Sequence, residues 1–163
     1  MTGRLSNLVY AGIGSRQTPE PVLNDMVMTA AKLQENGYTL RSGGAKGADK
    51  TFEQGAGYRK QIFRPSQSAA HPEWKAHASA WHPAWDRCDD YARALHARNS
   101  PIVLGEKLDD PVRFVVCWTA DGKASGGTGQ ALRIAAGYEI PVFNLFFPDA
   151  LARLRAAFPE IVW

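Results

Sequence analysis

Gly37-Tyr38-Thr39-Leu40-Arg41-Ser42-Gly43-Gly44-Ala45-Lys46-Gly47-Ala48-Asp49 is the stretch that decides the fold. Tyr38 to Arg41 reads as a short strand, Ser42 to Gly47 as a glycine-rich turn, and a helix follows from about Ala48 to Tyr58. A strand that passes through glycines straight into a helix is the building unit of a parallel sheet, whose crossovers cover its faces with helices.

The same unit recurs on either side. Upstream, Leu8 to Ile13 is an apolar run ending in glycine, which predicts a buried strand. Pro19 to Asn36 then carries Val22, Met26, Ala30 and Leu33 at the spacing of one helix face. Thr18 suits its N-cap, Pro19 its first turn, and Gly37 a left-handed C-cap. Downstream, Gln61 to Arg64 is a third strand stopped by Pro65, and Val112 to Trp118 is the most strand-like run in the chain. Ser125 to Gly129 forms another glycine turn into a helix over Gln130 to Ala136, ended by Gly137. Ile140 to Leu145 is a last strand and Asp149 to Ala157 a last helix. Between them, about 66–83 breaks the rhythm. It reads as a long loop insertion with a small echo, His71-Pro72-Glu73-Trp74 and His82-Pro83-Ala84-Trp85, followed by a helix from Trp85 to Asn99. Loops this long inside a domain are usually functional lids or disordered segments, and the tryptophans here argue against disorder. The expectation is α/β: one domain over 1–163, a doubly wound, mostly parallel, Rossmann-like sheet with helices on both faces.

The bulk properties agree. At 163 residues the chain fits one domain with its own core, and 45% hydrophobic with 21% charged residues is a globular balance. No apolar run approaches the ~18 residues of a membrane span. Met1 to Asn7 holds no apolar segment of a signal peptide. The two cysteines, Cys88 and Cys117, lack metal-type spacing and are too few for a disulfide framework, so a cytoplasmic location is expected. A net charge of +3 favours anionic partners but falls short of a dedicated DNA-binding arm.

The chemistry is expected where strands end in glycine turns, because ligands of open parallel sheets bind outside the carboxyl ends of strands. There are three such turns: Gly12-Ile13-Gly14-Ser15-Arg16, Ser42 to Asp49, and Ser125-Gly126-Gly127-Thr128-Gly129. Free backbone N–H groups and the positive helix end suit a phosphate, and Arg16 and Lys46 add cations. The candidate ligand-binding residues are therefore Gly14, Ser15, Arg16, Ser42, Gly43, Gly44, Lys46, Gly126, Gly127 and Thr128, with Asp49, Asn99 and Asp121 next. Neither GxGxxG nor GxxxxGK[ST] is present, which removes support for ordinary NAD binding and ATPase chemistry. Glu53 lies four residues after Asp49, so both carboxylates share a helix face; Glu53 is a candidate general base, or both complement the helix dipole. Asp121 is a ligand contact or a turn aspartate before Gly122. His71, His77, His82 and His96 match no zinc motif, so neither a metal nor a cofactor is expected. Trp74, Trp81 and Trp85 are read as packing residues before base-stacking ones.

The stretches Ala11 to Arg16, Gly37 to Asp49 and Ser125 to Ala131 resemble the glycine turns of the DprA/Smf Rossmann domain. They suggest the SLOG superfamily, which joins DprA/Smf proteins with LOG (lysine-decarboxylase-like) nucleotide hydrolases. The resemblance covers most of the chain except the 66–83 segment, and small stand-alone members look similar to phage proteins. It implies nucleotide binding and a homodimer. It also sets two departures in view. The chain has no room for the extra domains usual in DprA, and the glutamate of the LOG pattern falls on Leu132. The LOG arginine has a counterpart in Arg98, followed by Asn99, so Glu53 and Arg98 are the candidate catalytic pair if there is catalysis. The leading expectation is a non-catalytic binder, a sensor or sequestering protein for a nucleotide or nucleotide-derived small molecule. The alternatives are an N-glycosidic hydrolase of the LOG type and a DprA-like binder of single-stranded DNA; no membrane partner is expected.

Overall fold

A computed structural model describes residues 7–163. The N-terminal stretch read for a signal peptide lies outside the described residues but for Asn7. Five strands form one sheet: β1 (Val9–Gly12), β2 (Thr39–Ser42), β3 (Lys60–Ile62), β4 (Val115–Cys117) and β5 (Val142–Asn144). Their order is β3-β2-β1-β4-β5 and every pairing is parallel. The expected doubly wound Rossmann-like architecture is what the chain adopts. The order reverses at β1, which pairs Val9 with Thr39 on one side and Ala11 with Val115 on the other.

Alternation along β1 sorts the core into two layers. Val9, Ala11 and Ile13 face one cluster, with Ile102, Val103, Val115, Cys117, Leu132 and Ile134. Tyr10 faces the other, with Met26, Leu33, Leu40, Phe52, Phe114 and Leu154. The second layer is supplied by helices α1 (Glu20–Glu35), α2 (Ala48–Ala56) and, later in the chain, Ala150–Ala157. Helix α1 ends as its sequence predicts, with Gly37 at φ 84°. Its start differs: Pro19 is the N-cap, and the Thr18 hydroxyl turns back to donate to the Ser15 carbonyl at 2.6 Å.

The segment expected to be a loop is helical. A 3₁₀ turn covers Pro65–Ala70, α3 covers Pro72–Trp81, and a short 3₁₀ turn follows at Trp85–Arg87. Two histidine-proline steps, His71-Pro72 and His82-Pro83, disguise this helix as a loop, yet Pro72 stands in its first turn, where no hydrogen bond is lost. Trp74 and Ala78, one turn apart, are its buried residues, and the Trp74 indole N–H donates to the Glu106 carbonyl at 2.9 Å. The helix expected over Trp85 to Asn99 begins only at α4 (Asp90–Ala97), because Asp89 caps it by accepting from the Ala92 N–H at 2.8 Å. Helix α5 (Asn99–Leu104) falls outside the expectations altogether; Pro101 sits in its first turn and is tolerated there. Helix α6 (Gly126–Gly137) begins four residues before the expected Gln130 and takes in Gly126 to Gly129, which the sequence reading gives to a turn, and α7 (Ala150–Ala157) completes the chain. The α3–α5 segment docks on α6: the Gln130 amide donates to the Ala78 carbonyl at 3.0 Å, and the Trp81 ring lies so close over Gly137 that no side chain fits there.

Candidate functional site

A cleft of about 740 Å³ opens at the carboxyl ends of β1 and β4, where the strand order reverses. Open α/β sheets place ligands at this point. Residues from all three glycine turns line it: Gly14, Ser15 and Arg16 from the first, Ala45 and Asp49 from the second, Ser125 to Thr128 from the third. The α4–α5 junction adds Arg98 and Asn99. Nine of the expected residues thus share one cavity: Gly14, Ser15, Arg16, Asp49, Arg98, Asn99, Gly126, Gly127 and Thr128.

The glycines divide into two kinds. A methyl group on Gly14 would meet the Ala48 Cβ at 2.7 Å, and one on Gly43 would meet an Arg98 guanidinium nitrogen at 2.6 Å. These positions are small because protein fills the space. A methyl group on Gly126 or Gly127 would meet nothing within 4 Å, so their Cα atoms border open cleft. They begin α6, whose N-cap Ser125 makes no side-chain capping bond. The first amides of α6 are therefore left to the cleft, where an anion would meet both N–H groups and the helix dipole.

Asp49 is buried on the floor. One carboxylate oxygen accepts from the Gly14 N–H at 3.3 Å and the other from the Ala45 N–H at 3.3 Å, so it ties the first turn to the second. Burial pushes its carboxyl up to about 6, against the pull of the Arg98 charge and the amide hydrogen bonds. Arg98 donates to the Gly43 carbonyl at 2.7 Å and to the Phe63 carbonyl at 3.3 Å, while its Nε is buried without a partner. Burial lowers its guanidinium pKa, partly opposed by Asp49. Asn99 donates to the Leu95 and Gly127 carbonyls, both at 3.4 Å, joining α5 to the third turn.

Six expected residues do not line the cleft. Gly43 holds the Arg98 contact, and Gly44, at φ 74°, lies beneath the Arg64 guanidinium. Ser42 is buried at the end of β2, and Lys46 points to solvent. Asp121 accepts from the Lys123 N–H at 3.0 Å and the Ser125 hydroxyl at 2.8 Å, bonds that lower its pKa and make it the shaper of the third turn. Glu53 is the main correction. It does not share the crevice of Asp49: its oxygens face Lys60 at 3.0 Å and Lys50 at 3.6 Å. Burial would raise its pKa, but Lys60, Lys50 and Arg64 together pull it below the usual range, the reverse of a poised general base. The shared face of α2 is real, but its later turn looks toward β3.

Sequence reasoning missed His82, Leu95, His96 and Thr119, all in the cleft wall. Burial lowers both histidines, His96 to about 4 with help from the charges of His82, Arg133 and Arg98. Only the docking of α3 and α4 against α6 brings them there. Cys117, read as core, is fully buried with its thiol pushed up to about 12 by burial.

No protein-family model matches the chain, and neither does any curated protein. Among solved structures, the chain is similar to DNA processing protein A from Helicobacter pylori, described for its single-stranded DNA binding mode. The two share 17% sequence identity and superpose with a TM-score of 0.59 over 88% of this chain and 68% of that one. No helix among the described residues is long and apolar enough to cross a membrane. At that identity the likeness establishes the fold alone: this chain has a Rossmann-like architecture similar to that of DNA processing protein A.

Proposed function

We propose that the cleft binds a nucleotide or a nucleotide-derived small molecule, without cleaving it. The observation that carries this reading is the meeting of three glycine turns in one cavity of about 740 Å³, with the Gly126–Gly127 opening of α6 left bare. Cavities of ~300–1,000 Å³ suit ligands of this size. The phosphate takes the amides of Gly126 and Gly127 with Arg16 as its cation. The non-catalytic part of the proposal rests on the carboxylates. Among the described residues, Asp49 is the carboxylate that lines the cleft, and both its oxygens are engaged by backbone N–H groups. Leu132, at the LOG glutamate position, is packed in the core. Cleavage of an N-glycosidic bond needs a free carboxylate beside the developing sugar cation.

A second reading, single-stranded DNA as the source of the bound nucleotide, is favoured by the likeness to a protein described for that binding. Arg16, Lys46 and Arg64, all exposed, would meet neighbouring phosphates. The deciding experiment pairs a thermal-shift panel of mononucleotides with fluorescence anisotropy of a short labelled oligonucleotide at several salt concentrations. Stabilisation by a nucleotide, with weak oligonucleotide binding at physiological salt, supports the first reading. Submicromolar oligonucleotide affinity that falls steeply with salt supports the second. Free base released from any nucleotide overturns the non-catalytic assignment.

A further inference from the structure

His82, Cys88 and His96 come together at the wall of the cleft. One donor atom from each lies within 4.8 Å of the others, and the two imidazole rings are 4.2 Å apart between centroids. The three side chains are half-buried and arrive from different places. His82 caps the end of α3, Cys88 follows the 3₁₀ turn at Trp85–Arg87, and His96 lies in the last turn of α4. Nδ1 of His96 is buried without a hydrogen-bond partner, an orphaned acceptor or donor that native structures rarely leave unexplained. Both histidines also line the cleft. Without a cysteine at motif spacing, the sequence argues against a metal here; the fold supplies the cysteine.

We propose that His82, Cys88 and His96 form a three-ligand site for a zinc-class divalent ion, with a fourth coordination position open to the cleft. One thiolate and two imidazoles are a borderline-soft donor set that suits zinc, and sites with three protein ligands keep a position for water or a ligand oxygen. Donors around a tetrahedral zinc ion lie about 3.5 Å apart, given bonds of ~2.0–2.3 Å. Rotation of the half-buried His82 and Cys88 side chains, both on the short 82–89 connection, closes the remaining gap. The Ala84 N–H donates to Nδ1 of His82 at 3.0 Å, and a neutral imidazole gives up that hydrogen bond on ligation, because Nδ1 then either takes the metal or carries the proton that leaves Nε2 free to take it. Arg98 and Arg133 both act on His96 and oppose a dication. The thiolate cancels one unit of its charge, which makes Cys88 the decisive ligand.

Cobalt(II) is the probe, because a thiolate in a tetrahedral site gives it charge-transfer and visible d–d bands. Reduced, chelator-treated protein titrated with cobalt(II) chloride is expected to develop these bands at one ion per chain and to lose them when zinc is added. Cys88→Ser and His96→Gln are each expected to abolish them. Absence of the bands in the native chain, or their survival in either variant, overturns the site. Should a variant fail to fold, the native chain still decides. Zinc is expected to slow alkylation of Cys88 by iodoacetamide, read by mass spectrometry, and an unchanged rate rejects the proposal. None of these measurements depends on nucleotide binding.

Discussion

Asp49 carries a cost that its hydrogen bonds only partly offset. Its carboxyl is raised from 3.8 to about 6, so the folded chain holds this proton where the unfolded chain has released it. The stabilising contribution is complete below about pH 4 and fades as pH rises through about 6. In Asp49→Asn that fading is absent. Chemical denaturation from pH 4 to 7 is expected to show the native chain losing stability relative to the variant, by on the order of 3 kcal/mol. A constant difference across that range would mean that Asp49 stays charged throughout. Arg98 is the matching case. Arg98→Ala frees the Gly43 carbonyl and removes the nearest favourable charge from a buried carboxylate, with an expected loss of about 3 kcal/mol by urea denaturation. For binding, Arg16→Ala is expected to weaken a nucleotide by ~1.5–3 kcal/mol in calorimetry, the scale of a charge-assisted hydrogen bond.

At the scale of elements, the two kinds of glycine separate folding from binding. In Gly14→Ala the added methyl presses on Ala48 and the Trp118 backbone, so a stability loss of ~1–3 kcal/mol is expected from overpacking. Gly127→Ala places its methyl in open cleft on the first turn of α6, where alanine is a better helix former. Its melting temperature should hold or rise while nucleotide affinity falls. A variant that lost neither would move the phosphate away from α6. The strands, the first two glycine turns and helices α1 and α2 are legible in the sequence, because apolar runs and punctuating glycines are local signals; α6 is legible too, but its opening glycines, Gly126 to Gly129, read as a turn. Helix α3 is not, since its histidine-proline steps imitate loop chemistry while its period rests on just Trp74 and Ala78. The cleft is legible by halves for the same reason. The turns announce themselves, whereas His82, Leu95 and His96 join them only through packing on α6.

For the whole molecule, the cleft is a joint between two halves of the sheet. Its lining runs from Ile13 to Thr128, so a bound ligand touches both β1 and β4 sides at once. Local opening of either half would then require release of the ligand. Saturating nucleotide is expected to shift a single cooperative melting transition upward, with about 2.7 kcal/mol gained at a hundredfold excess over Kd. A split transition, with one half unmoved, would contradict this. The strand pairing at that joint has a consequence in time as well. β1 meets β2 across one helix, but Ala11 meets Val115 only after the whole α3–α5 segment has been made. On a ribosome the first half of the sheet can collapse early, while its central strand keeps one edge bare until β4 emerges. That waiting edge is the place where a nascent chain of this design is most open to mispairing with a neighbour.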